Sequence, residues 1–267
     1  MPEPTLGQII LAIGAAVVFA ASVTVSIARS ANRAVVIVLA IIGLVLSTSS
    51  LVWHAVDRGS WIPLDDNFDA LLWLAIMTGL VSLYLQRRKT VGRVDWVLSP
   101  IVILLLLSAA FFGATMPQEY KATLWSTTHR LAVFTGPIAL ALAAACGVMY
   151  LVLSARLRNK HHTVDARFGS LERLEHLTYT AVSVGFALLT VGLVTGVVRA
   201  IQVNANLGLN WMWQPKIVLA MSAYVLYALV LHSPINPSFR GRRTAILSIA
   251  GFVLLLGTIG VVQWMGS

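Results

Sequence analysis

The stretch that decides the fold is residues 95–113, DWVLSPIVILLLLSAAFFG, an almost unbroken apolar run. A membrane core about 30 Å thick is crossed by roughly 20 helical residues, because each residue advances the helix by about 1.5 Å. Further runs of this kind cover residues 6–28, 34–56, 68–86, 124–154, 177–200, 215–233 and 244–265. The pattern predicts an all-α integral membrane protein with eight transmembrane helices.

Composition favours a single transmembrane domain over residues 1–267. Hydrophobic residues make up 58% of the chain and charged residues 11%, with a mean hydropathy of +0.84. A soluble domain is closer to half apolar and a quarter charged. Two polar segments stand out, a loop at 155–176 and a tryptophan-containing loop at 201–214. The single cysteine, Cys146, excludes an internal disulfide or CxxC motif and is predicted to be a packing residue.

The net charge of +9 is a topology signal. Most of the 19 lysines and arginines follow the first, third, fifth and seventh apolar runs. The exceptions are Arg58, Lys121, Arg130, Arg199 and Lys216. The positive-inside rule therefore predicts that loop 155–176 is cytoplasmic, and that loop 201–214 and both termini lie outside. The chain is expected to be a multi-pass protein of the cytoplasmic (inner) membrane, with the lipid bilayer as its surroundings and no nucleic acid as partner.

Four of the six histidines lie at the boundaries of apolar runs. His54 and His129 fall on the predicted outer side, and His176 and His232 fall on the predicted inner side. Ionisable side chains in membrane helices are costly, so they usually face the bundle interior and have a partner there. The remaining two histidines belong to loop 155–176 and are expected to be solvated.

Residues at helical spacing from three of these histidines are small or carry hydroxyl groups, which predicts interior faces. They are Gly43, Ser47 and Ser50 before His54; Ala132, Gly136, Ala139 and Ala143 after His129; and Thr180, Ser183 and Thr190 after His176. On the His129 face, side chains this small would leave room for a flat ligand. The alternative is ordinary close packing of transmembrane helices.

Two pairs of imidazoles, His54 with His129 and His176 with His232, favour two b-type haem sites, because neutral imidazole is a good axial ligand of iron. A zinc site would need further ligands beside each pair, and none is obvious. A proton relay would need buried acids, and the apolar runs are nearly free of them. A boundary histidine that only caps a helix remains an alternative.

Several segments resemble the cytochrome c assembly family, which includes CcsA (ResC), CcmC, CcmF and the shorter HemX and YpjD proteins. GFALLTVGLVTG at 185–196 is similar to a family stretch of the form GFxxLTxGxxxG. A further resemblance is to the end of the family's seventh span, carried by the LH at 231–232 and the RGRR at 240–243. Upstream, WIPLDDNFDALLWL and LWSTTHRLAVFTGPIAL resemble two further family elements. The resemblance covers about residues 50–262.

In this family a tryptophan-rich outer loop of the form WGxxWxWDPKE presents haem to apocytochrome c. The segment LGLNWMWQPKIV at 207–218 departs from that form, because Leu207, Gln214 and Ile217 replace its first Trp, its Asp and its Glu. The members retained are Trp211, Trp213, Pro215 and Lys216. The family's outer histidine after the last span is also missing. The pattern is most similar to the HemX and YpjD branch, which implies haem handling without catalytic residues in this chain.

The resemblance therefore implies a protein that binds one or two haem b groups and handles, transports or presents haem for cytochrome c biogenesis. Its expected partners are a CcsB/ResB-like membrane protein and apocytochrome c. Alone it is not expected to be an enzyme, and at most it is a subunit of a holocytochrome c synthase-like complex. The alternatives are a HemX-like regulatory or scaffold subunit and a b-haem subunit for transmembrane electron transfer.

The resemblance also implies which residues hold haem. The expected metal ligands are His54, His129, His176 and His232. Trp211 and Trp213 would form an aromatic shelf against an outer porphyrin, while Arg199 and Lys216 would contact its propionates. The alternative for the two indoles is that they are anchors at the membrane interface.

Overall fold

The computed structural model describes residues 3–27, 32–59, 66–88, 94–113, 124–158, 170–203, 213–233 and 241–266. The regular structure of these residues consists of eight helices. They are α1 (Leu6–Ile27), α2 (Arg33–Arg58), α3 (Asn67–Arg88), α4 (Asp95–Phe112), α5 (Leu124–Arg158), α6 (Leu171–Val203), α7 (Pro215–Leu231) and α8 (Arg242–Gly266). The predicted all-α class is confirmed.

Helix length and apolarity agree with a membrane protein. Six of the described helices, α1 to α6, are long and apolar enough to span a membrane, and α7 is apolar but shorter. The predicted class of integral membrane protein is thus confirmed. The count of eight spans, the side of each terminus and the membrane in which the chain lies remain predictions.

Helices α1 to α4 form the first of two compact units, Met1–Glu119. Within it each helix packs on the next one along the chain, and α4 also packs on α1. Phe19 of α1 is fully buried at the centre of this unit. A Cβ atom placed on Gly43 would lie 2.7 Å from Cε2 of Phe19, so the ring rests directly on the backbone of α2. The small residue at position 43 permits this close approach.

Helices α5 to α8 form the second unit, Tyr120–Gly266. Here α5 packs along α6 and α8, and α7 packs on both α6 and α8. A Cβ atom on Gly136 would lie 3.4 Å from Cβ of Leu188, and one on Gly185 would lie 2.5 Å from Cδ2 of Leu140. The small residues after His129 therefore bring α5 and α6 together. The prediction that this face has room for a flat ligand is wrong there, because helix packing fills the space.

Local sequence signals account for several helix ends. The hydroxyl oxygen of Ser170 accepts a hydrogen bond from the Arg173 amide (3.3 Å), so Ser170 is the N-cap of α6. Helix α7 begins at Pro215, where the missing N–H costs no helical hydrogen bond. Cys146 is fully buried, as expected of a packing residue. The prediction of a single domain over residues 1–267 remains a prediction.

Candidate functional site

A cluster of charged side chains joins the end of α2 to the start of α3. His54 and Arg58 share one face of α2, since they are four residues apart, and Asp66 and Asp69 stand at the N-terminus of α3. Nδ1 of His54 lies 2.9 Å from Oδ1 of Asp69 and 3.5 Å from Oδ2 of Asp66. The guanidinium of Arg58 contacts Asp66 at 3.1 Å and Asp69 at 2.7 Å. These four residues are called the His54 network.

The His54 network is removed from solvent. The side chains of His54, Arg58 and Asp69 are at most 2% exposed, and that of Asp66 is 12% exposed. Burial, together with the charge of Asp69, raises the pKa of Asp66 above its usual range. Two carboxylates face one guanidinium, so a neutral imidazole leaves one negative charge in the cluster without a positive partner. Buried charges are tolerated only when they are well paired, so a further positive centre would stabilise this cluster.

The ring of His54 presents a defined tautomer. A carboxylate can only accept a hydrogen bond, so Nδ1 donates to Asp69. In the neutral ring Nε2 then carries the lone pair. Among the residues that the structure describes, this buried Nε2 atom has no hydrogen-bond partner. Histidines that ligate metals commonly have their other nitrogen bound to a carboxylate in this way.

Three groups of this network also lie close enough together to hold a bare metal ion. Ligand atoms of His54, Asp66 and Asp69 lie within 4.8 Å of one another. The Arg58 guanidinium, however, already contacts both carboxylates, so a divalent cation would have to compete with it for their oxygens. The expectation that no carboxylate accompanies these histidines is wrong for His54, because Asp66 and Asp69 directly follow the loop after α2.

His129 lies on α5 in the second unit and is half-buried. Its Nδ1 is 2.8 Å from the carbonyl oxygen of Gly192, which can only accept, so Nδ1 carries the proton. The ring also packs on α6, because a Cβ atom at Gly196 would lie 2.9 Å from Cε1 of His129. The carbonyl fixes the same tautomer as in His54, with the lone pair on Nε2.

His232 and His176 differ from the first two histidines because both are exposed. His232 is the C-cap of α7, and its Nδ1 donates to the carbonyl oxygen of Ala228 at 2.7 Å. His176 lies near the start of α6, and Thr180, one turn later, is also exposed. The interior face predicted for His176 is therefore not found in this unit. Both histidines lie near helix ends, where less of the neighbouring helices is available to cover a side chain.

The two proposed pairings remain predictions. His54 belongs to the first unit and His129 to the second. His176 and His232 belong to the same unit, near the start of α6 and at the end of α7. The Gly241 amide before α8 donates to Glu175 beside His176 (3.2 Å), so the starts of α6 and α8 are adjacent.

The tryptophan segment is only partly described. Trp211 lies outside the described residues, and Arg199 belongs to α6. Trp213 is 78% exposed, and Lys216 in the first turn of α7 is exposed as well. Trp213 lines an open groove of about 720 Å³ on α7 and α8. The other lining residues are Val218, Met221, Ser222, Val225, Leu226 and Leu254.

Sequence reasoning missed the carboxylates of the His54 network. The available signal was the four-residue spacing of His54 and Arg58 at the end of one apolar run, followed by the three-residue spacing of Asp66 and Asp69 at the start of the next. Antiparallel neighbours bring such ends together. The Asp66 side chain also caps α3, because its Oδ1 accepts from the Asp69 amide at 2.7 Å.

Comparison with known proteins places this arrangement in context. The family described as Cytochrome C assembly protein matches residues 61–267. The chain is 26% identical to the cytochrome c biogenesis protein CcsA of a Prochlorococcus marinus strain, over 88% of this chain and 83% of that protein. It is 26% identical to CcsA of Guillardia theta over 74% of this chain and 72% of that protein. It is 25% identical to CcsA of Mesostigma viride over 72% and 71% respectively. No solved structure matches the chain.

Proposed function

Because the chain belongs to the cytochrome c assembly protein family, we propose that it binds haem in the membrane and passes it on during cytochrome c biogenesis. Haem is in this view the cargo of the protein. The curated relatives are named for cytochrome c biogenesis, which supports the process. The histidines of this chain support the cargo.

The observation that carries the proposal is the buried Nε2 atom of His54, which has no hydrogen-bond partner among the described residues. An unpaired buried nitrogen costs about 1–3 kcal/mol, so a ligand for it would be stabilising. Asp69 orients the ring through Nδ1, and Arg58 holds Asp69. A ferric haem iron would also supply the positive charge that balances the His54 network.

The other proposed ligands use the same donor chemistry. Nδ1 of His129 and Nδ1 of His232 each donate to a backbone carbonyl oxygen, which leaves Nε2 as the nitrogen with the lone pair. His176 is exposed near the start of α6. We propose that these three histidines, together with His54, are axial ligands of one or two haem b groups. Haem iron bound in the low-spin state would need such ligands.

The tryptophan segment is proposed to contact the porphyrin. Trp213 is exposed and broad enough to stack against a macrocycle, and Trp211 lies two residues before it in the sequence. Lys216 and Arg199 are proposed to contact the haem propionates. The protein would work in the cytoplasmic membrane with a CcsB/ResB-like membrane partner and apocytochrome c. It would not be an enzyme by itself.

The test is haem reconstitution of the purified chain in neutral detergent, followed by visible absorption and pyridine haemochrome analysis. We expect a low-spin b-type spectrum that His54→Ala and His129→Ala each weaken. The double variant His161→Ala with His162→Ala is the matched control, because it removes two imidazoles from the loop where no ligand is proposed. A wild-type chain that takes up no haem would refute the proposal, and so would equal loss in the control.

A further inference from the structure

We propose that the groove between the end of α5 and the start of α8 binds the headgroup of an anionic phospholipid. The groove has a volume of about 260 Å³. It is lined by Leu151, Ser154, Ala155, Arg158, Arg242 and Ile246. This assignment is independent of haem and uses residues of the second unit only.

The geometry separates charge from apolar surface along the helix axes. Arg158 is the last residue of α5 and Arg242 is the first residue of α8. Further from these ends, Leu151 and Ile246 provide an apolar wall. Helices α5 and α8 meet below the groove, where a Cβ atom on Gly147 would lie 2.9 Å from the Ala245 carbonyl oxygen. A phospholipid has the same division, with its phosphate at the membrane boundary and its acyl chains beside the apolar wall.

Within the described ranges, the two guanidinium groups of the groove have no ion-pair partner. Both arginines are exposed. The nearby carboxylate of Glu175 accepts from the Gly241 amide and does not line the groove. Arginine binds phosphate oxygens through two parallel N–H groups, so a pair of arginines suits a phosphodiester.

Size and position select a lipid headgroup over other anions. The volume of about 260 Å³ lies below the roughly 300–1,000 Å³ typical of sites that enclose a drug-sized ligand, so a tetrapyrrole does not fit inside it. The end of α5 and the start of α8 are on the predicted cytoplasmic side. Basic pockets between transmembrane helices on that side commonly bind anionic headgroups.

The experiment counts lipids retained by the full chain in neutral detergent by native mass spectrometry during titration with phosphatidylglycerol or phosphatidylcholine. We expect one tightly retained phosphatidylglycerol and no such phosphatidylcholine. The double variant Arg158→Gln with Arg242→Gln should weaken retention roughly 25-fold, since each basic residue at a membrane surface contributes about fivefold. Helicity and the thermal midpoint, measured in parallel, show that this variant is folded.

The matched control is Arg156→Gln with Arg243→Gln. It removes the same charge from the ends of the same two helices, but neither residue lines the groove. Equal weakening in both double variants would overturn the proposal, because it would mean that only the overall charge attracts lipid. Displacement of the lipid by glycerol 3-phosphate at the same concentration would overturn the role of the apolar wall. If the double variant Arg158→Gln with Arg242→Gln loses bound haem while its lipid retention is unchanged, the two arginines bind haem propionates and not a lipid headgroup.

Discussion

Replacement of Asp69 by Asn removes one negative charge from the His54 network and leaves the shape of the side chain nearly unchanged. Asp69 is fully buried. It accepts from Nδ1 of His54 at 2.9 Å and forms an ion pair with Arg58 at 2.7 Å. The amide oxygen of Asn can still accept from His54, but the variant leaves Arg58 with Asp66 as its remaining carboxylate in the network. The substitution therefore isolates the contribution of charge.

The expected cost follows from these contacts. Removal of one partner of a buried ion pair costs about 3–5 kcal/mol when the other charge is left alone in the interior. Here Asp66 still pairs with Arg58 at 3.1 Å, and the variant removes the negative charge that exceeds the guanidinium, so the cost falls below that range. The hydrogen bond that Asn retains limits the cost further. We therefore expect a loss of roughly 2 kcal/mol in the free energy of unfolding. At about 2–4 °C per kcal/mol, the thermal midpoint falls by roughly 4–8 °C.

The assay is thermal unfolding of the purified chain in detergent, followed by circular dichroism. Asp57→Asn is the matched control. Asp57 lies on α2 beside Arg58 and accepts a hydrogen bond from Gln8 at 2.7 Å, but it is exposed. Its loss should cost less than about 1 kcal/mol. If Asp69→Asn lowers the midpoint no further than Asp57→Asn, the His54 network does not hold α2 and α3 together as an ion cluster.

Two further predictions concern the charge of Asp66 and the tryptophan segment. Because the pKa of Asp66 is raised in the folded state, protonation of Asp66 stabilises the fold. This stabilisation is full below the unfolded pKa and is lost as pH rises through the folded pKa. Wild-type protein should therefore gain thermal stability relative to Asp66→Asn, which keeps the N-cap, as pH falls from about 7 towards the ordinary pKa of an aspartate, about 4. Replacement of both Trp211 and Trp213 by Ala should lower haem retention several-fold per ring, at about 1 kcal/mol each, without a change in helicity. Trp96→Ala, at the start of α4, should leave retention unchanged, and an unaltered haem spectrum in the double variant would assign the indoles to membrane anchoring.

The spans were predictable because a bilayer imposes their length. The predicted run 34–56 corresponds to Arg33–Arg58, and 95–113 corresponds to Asp95–Phe112. Apolar content gives less information where a helix leaves the hydrocarbon core. Helix α5 continues from the predicted residue 154 to Arg158, because Leu and Arg favour helix whether or not lipid surrounds them.

The faces of the helices were harder to predict, because small residues have two uses. Gly43, Ser47 and Ser50 are buried together with His54, as expected. On α5 the same kind of stripe serves close packing on α6, and Leu140 and Leu188 occupy the space. A sequence shows that a face is small, but it does not show whether a ligand or a neighbouring helix covers it.

The four boundary histidines, equivalent in the sequence, differ in the acceptor that orients each ring. His54 donates to a buried carboxylate, whereas His129 and His232 donate to neutral carbonyl oxygens. A charged acceptor increases the basicity of the opposite nitrogen more than a neutral one does. The lone pair on Nε2 of His54 is therefore the most basic of the three and would bind a positive centre most strongly. Asp69 is the residue that causes this difference. The difference arises from the three-residue spacing of Asp66 and Asp69, which caps α3 and brings a carboxylate to the last turn of α2.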